Sequence, residues 1–141
     1  MNQTTPAVTT SLQLWHDMIA TGDLSRLHEI VENDAVFRSP MAFKPYAGGM
    51  AVIMILTTVS KVFQEFHYER TFVSEDGLNL TLEFSAKVGD KSLKGVDLIR
   101  FNPNGKIIEF EVMVRPMSAL QALGGEMAAR LAALMPTSQS I

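Results

Sequence analysis

Apolar residues recur at helical spacing through the first half of the chain and alternate one-in-two after Phe66. Leu12, Trp15 and Ile19 share one side of a predicted first helix, with Gln13, Asp17 and Thr21 on the other. Thr10 and Gln13 form a capping-box pattern for its start, and Gly22 suits its stop. That reading leaves residues 1–9 as a flexible arm. Asp23 can cap a second helix, which carries Leu24, Leu27 and Val31 inward as far as Asn33. Residues 35–38 read as a short strand. Ser39-Pro40 and Lys44-Pro45 break it, since a residue before proline avoids helical geometry. Gly48-Gly49 then opens a third helix with a stripe of Val52, Ile55, Leu56, Val59 and Phe63.

Beyond that helix the period is two. Residues 66–74 form one predicted strand, and Asp76-Gly77 is a hairpin signal. Leu78, Leu80, Leu82, Phe84, Ala86 and Val88 alternate with polar residues, the pattern of a long strand buried on one face. Turns at Gly89-Asp90 and Asn102-Pro103-Asn104-Gly105 bound strands over 92–101 and 106–114. A last helix, residues 117–135, carries Leu120, Leu123, Met127, Leu131 and Leu134, interrupted at Gly124-Gly125. Helices placed before a meander of strands predict an α+β domain: a curved, mostly antiparallel sheet wrapped around the N-terminal helices, with a C-terminal helix. A bent sheet of that kind leaves an apolar cavity at its open end. The whole of 1–141 reads as one domain.

Composition narrows the partners. Hydrophobic residues make up 47% and charged residues 19%, a globular balance, and the net charge of −3 attracts neither nucleic acid nor an anionic membrane. There is no cysteine, so disulfides, thiolate nucleophiles and cysteine metal sites are excluded. The polar, threonine-rich start lacks the features of a secretory signal, and the longest apolar run, 50–56, is far too short to span a bilayer. The expected location is cytoplasmic.

One residue does not fit its row. On the strand over 92–101 one face is Leu93, Gly95, Asp97, Ile99 and Phe101, and Asp97 is its single ionisable group. Burial among Ile and Phe disfavours the carboxylate and raises its pKa. Such a group can donate a hydrogen bond to a developing oxyanion, or move a proton near neutral pH. It can also be structural, held by a backbone amide or a buried arginine. His16, His28 and His67 are scattered, and His28 with Glu32 is a solvated helix face rather than a metal pair, so no metal is expected. His16 flanks the Trp15 stripe and could reach the cavity from its rim.

From these residues the chain resembles ketosteroid isomerase and the nuclear transport factor 2-like superfamily over about residues 10–115. Val96-Asp97-Leu98-Ile99-Arg100-Phe101-Asn102, followed by Gly105-Lys106-Ile107-Ile108, resembles the strand pair carrying that enzyme's oxyanion-hole aspartate, which falls on Asp97. Trp15 stands where its catalytic tyrosine would be, before the shared Gly22-Asp23-Leu24, and Ser39 where its general base precedes proline. With two of three catalytic positions changed, the resemblance implies the fold and a pocket but not ketosteroid isomerase activity. Phe37-Arg38-Ser39-Pro40, Gly95-Val96-Asp97 and Val114-Arg115-Pro116-Met117 look like the SnoaL-like branch, whose polyketide cyclases use a pocket aspartate. The Asp–Arg–Asp arrangement of limonene epoxide hydrolase is not reproduced, since Arg100 falls on the face opposite Asp97.

The expected ligand is a small apolar molecule, a carbonyl or polycyclic compound, handled without a cofactor. Asp97 is the acid/base candidate, Trp15 a wall and N–H donor, and Ser39 a polar contact. His16, Ile19, Phe37, Phe84, Val112 and Val114 complete the expected ligand-binding set. The alternative is a non-catalytic ligand-binding or dimerisation module in which Asp97 only anchors the sheet. The sheet's other face mixes Val96, Leu98 and Met113 with Arg100, Glu109 and Glu111, which predicts a homodimer through it.

Overall fold

A computed structural model describes residues 2–134. The elements are α1 (Pro6–Thr21), β1 (Val31–Arg38), β2 (Tyr46–Ala47), α2 (Gly49–Val62), β3 (Gln64–Val73), β4 (Asn79–Val88), β5 (Lys91–Phe101), β6 (Ile107–Arg115) and α3 (Met117–Leu134). Met135, the expected last residue of the C-terminal helix, lies outside the described residues.

The six strands form one sheet in the order β2-β1-β6-β5-β4-β3. β3 to β6 are the expected antiparallel meander, and β1 joins β6 in parallel. The expected α+β class, a mostly antiparallel sheet with helices against it and a helix at the C-terminal end, is the observed one. Bulges in β3 bend its edge, since an extra residue twists the strand that carries it. On the inner face Leu80, Leu82 and Phe84 of β4 and Leu93, Ile99 and Phe101 of β5 meet Trp15 and Met18 of α1 and Val52, Ile55 and Leu56 of α2. Phe84, Phe101 and Phe110 are fully enclosed there. Each such ring contributes about 1.5–3 kcal/mol relative to exposure.

Two N-terminal expectations are corrected. The arm expected over 1–9 is helical from Pro6: Thr5 caps the helix by accepting the Val8 N–H, and proline suits the first helical position. Val8 is fully buried, and Asn2 and Thr5 bond to Val73 O and Gly77 O, which ties this stretch to the β3–β4 hairpin. The second helix shrinks to one 3-10 turn, Leu27–Glu29. The Ile107 N–H donates to Ile30 O at 2.7 Å, and Val31 pairs with Ile107, so strand pairing with β6 overrides the local helical spacing.

The outer face carries charge. Glu83 is buried there, bonded by Arg70 at 2.5 and 2.8 Å and reached by Lys94 at 3.4 Å. Arg38 and Arg100 both pair with Glu109. No helix among the described residues is long and apolar enough to cross a membrane.

Candidate functional site

The inner face of the sheet, α1, α2 and α3 enclose a cavity of about 260 Å³. Its wall is apolar except at Trp15, Ser39, Tyr46, Ser60, Tyr68 and Asp97. Asp97 is brought there by register. On β5 it pairs with Leu82 of β4 and Val112 of β6, both with side chains on the inner face. Only 5% of Asp97 is exposed, and burial pushes its pKa up to about 7, partly offset by a hydrogen bond from Tyr68.

That bond defines the site. Tyr68 Oη donates to Asp97 Oδ2 at 2.5 Å, and Trp15 Nε1 donates to Tyr68 Oη at 2.9 Å. The chain of donors runs from α1 through β3 to β5 and ends on a carboxyl. Such chains polarise one another in a poorly solvated setting. Tyr68 itself titrates well above its ordinary value, first because it is buried and then because Asp97 stands beside it, so it remains a neutral donor. Asp97 Oδ1 has no hydrogen-bond partner among the described residues. No fully enclosed side-chain polar atom among those residues lacks a partner, so Oδ1 opens onto the cavity.

Tyr68 was not singled out in the sequence. Strict alternation along β3 puts Phe66, Tyr68, Arg70 and Phe72 on one face, and Arg70 marks that face as solvated. The register shifts between Tyr68 and Thr71, where one residue of β3 is extra. Tyr68 therefore faces inward opposite Phe84, while Arg70 turns outward to Glu83. The available signal was the need of a tyrosine beside apolar Phe66 for a hydroxyl partner once buried.

The other sequence candidates divide. Trp15, Ile19, Phe37, Ser39, Asp97 and Val112 line the cavity. Phe84 lies beneath the wall, packed on Phe63, Phe66 and Tyr68, and Val114 packs against the core outside the cavity. His16 is also off the wall. It is half-buried, edge-on to the Tyr68 ring at 5.4 Å, and burial lowers its pKa against a small opposing effect of Asp17. The Trp15 N–H points to Tyr68 rather than to the cavity contents. Ser39 Oγ accepts the Met41 N–H at 2.9 Å, which leaves its own proton without an acceptor among the described residues. No group of three or more His, Asp or Glu among the described residues is placed to hold a metal.

Residues 12–110 match the family described as the SnoaL-like domain. The fold superposes with TM-score 0.93 on a steroid delta-isomerase from Pseudomonas aeruginosa, 52% identical, over 97% of this chain and all of that one. An uncharacterized conserved bacterial protein with a cystatin-like fold from Silicibacter pomeroyi DSS-3 is 37% identical, with TM-score 0.79 over 85% of this chain and 84% of that one. At 16% identity the epoxide hydrolase/cyclase-like enzyme SalBIII, of pyran ring formation in polyether salinomycin, shares the fold alone, with TM-score 0.63 over 79% and 92% of the two chains. Among curated proteins there is no sequence match.

Proposed function

The chain belongs to the SnoaL-like family, and from that membership we propose that it is an acid/base catalyst of the isomerase or cyclase kind acting on a small apolar carbonyl compound. The observation that carries this is Asp97: a cavity carboxyl with one oxygen bound by Tyr68, the other facing the ligand space, and a pKa near neutrality. A group that titrates close to the working pH serves equally as base and as acid.

For a β,γ-unsaturated ketone the steps balance as follows. Ionised Oδ1 takes the proton from the carbon between carbonyl and alkene. The C–H electron pair becomes a new C=C bond, and the carbonyl becomes a dienolate. The protonated Asp97 then returns the proton to the far alkene carbon, which gives the conjugated ketone and the starting carboxylate. Tyr68, held by Trp15, orients Oδ2 throughout. Ser39 and Tyr46 both line the cavity with a hydroxyl proton that has no acceptor among the described residues, and these are the wall donors available to the dienolate oxygen. The relative described as a steroid delta-isomerase supports the reaction class. The cavity volume lies at the low end of ligand sites, which favours one- or two-ring compounds over a tetracycle.

The test is conjugation of small cyclic β,γ-unsaturated ketones, followed by ultraviolet absorbance, beside a steroid substrate. Wild type is expected to turn over the small ketones, and Asp97→Asn to lose about 10²–10⁴-fold in rate. The rate of wild type should rise with pH through about 7, as Asp97 ionises. Tyr68→Phe removes the bond that lowers this pKa, so its profile should move to higher pH, a change no purely structural role produces. Ligand binding without turnover, unchanged by pH, would instead favour a binding module.

A further inference from the structure

We propose that Met41 sets the length of ligand the cavity accepts, by closing the rim against Gly124 of α3. The inference rests on the reading of the cavity as a small-molecule site and concerns its specificity.

After β1 the chain turns at Ser39-Pro40, and the Ser39 hydroxyl fixes the turn by accepting the Met41 N–H. Met41 and Gly124 both line the cavity. A Cβ at Gly124 would stand 2.5 Å from Met41 Cε and 2.9 Å from its Sδ. The thioether therefore occupies the space that any other residue at that helix position would fill. Glycine inside a helix is unfavourable relative to alanine, so this seat is kept against the local propensity of α3. Ala128, one turn further along, keeps the same side of α3 low, and it too lines the cavity.

Exposure places the two ends. Asp97 is 5% exposed and lies at the closed bottom, whereas Met41 is 52% exposed and lies at the rim. The bottom is built from paired strands that cannot yield. At the rim, beside exposed Tyr46 and Ala128, Met41 supplies a flexible, unbranched side chain with a seat on one side and solvent on the other. A ligand whose polar head meets Asp97 thus grows toward Met41, and Met41 decides where growth stops.

The experiment measures affinities of para-alkylphenols, from para-cresol to para-octylphenol, for wild type, Met41→Ala and Phe43→Ala. In wild type, affinity rises about three- to fourfold per methylene while the tail is still being buried, then stops rising at a definite length. In Met41→Ala the rise continues for about two or three more methylenes, a gain of about tenfold or more for the longest members. Short members change little. Phe43, in the same loop but 98% exposed, serves as the control, and its alanine variant keeps the wild-type break. A break that stays put in Met41→Ala overturns the assignment while leaving the cavity reading intact. A wild type that binds none of the phenols overturns the cavity reading itself, and the assignment with it.

Discussion

A carboxyl enclosed at Asp97 couples folding to proton binding. Its folded-state pKa of about 7 lies above the ordinary 3.8, chiefly through burial. Between these values the native state holds a proton that the unfolded chain has released, so stability must fall as pH rises. The contribution is whole below the unfolded pKa and gone once the pH has passed the folded one. Across that window it is on the order of a few kcal/mol. Asp97→Asn keeps the shape and the acceptor for Tyr68 but carries no such proton. Chemical denaturation of both proteins from about pH 5 to about pH 8 should show the variant gaining on wild type by roughly two thirds of that amount, since other carboxylates cancel in the difference. A constant difference would mean that Asp97 is not perturbed. The residue was legible because a lone ionisable group stands out in an apolar row. Its partner was not, because the β3 bulge that turns Tyr68 inward leaves no mark in the alternation.

At the scale of elements, α2, β4, β5 and β6 could be read because each has its own period and is bounded by its own turn. Strand 92–101 was expected, and Lys91–Phe101 is observed. The failures lie where a distant partner decides. Helical spacing at Leu24, Leu27 and Val31 is real, but Val31 opens β1 and is held to β6 by pairing between segments far apart in sequence. The start of α1 was hidden by a second capping pattern at Thr10, although Thr5-Pro6 carries the stronger one. Close approach at β5 is equally invisible along the chain. Gly95 pairs with Phe84, whose ring lies over it, and a Cβ there would stand 2.5 Å from Phe84 Cζ and from Met113 O. The carbonyl is fixed in the β5–β6 pair and cannot retreat. Gly95→Ala should therefore cost about 1–3 kcal/mol, seen as a lower denaturation midpoint at an unchanged slope. It should also weaken Asp97-dependent activity, because Phe84 packs against Tyr68. Unaltered stability would show that both the ring and the Met113 carbonyl give way.

For the whole molecule, the two faces of the sheet have separate tasks. The inner one holds the cavity, while the outer one presents half-buried Val96 and Leu98 and exposed Met113 among Arg100, Glu109 and Glu111. We propose that a second copy of the chain covers this outer face. A two-fold axis sets the same patch against itself, so a surface with both signs of charge around an apolar middle is complementary to its own rotated image. A stable contact needs roughly 800 Å² per partner, about a tenth of the 8178 Å² surface of the chain. Light scattering during gel filtration should give twice the mass of the chain. Met113→Glu, which brings a third carboxylate beside Glu109 and Glu111, should return it to a single copy. Wild type eluting as a single copy at micromolar concentration would sink the proposal, and a Met113→Glu protein that stays paired would move the contact elsewhere. Since the cavity opens on the opposite face, the single-copy variant should bind cavity ligands as wild type does. Binding lost together with pairing would mean instead that the second copy shapes the cavity across the sheet.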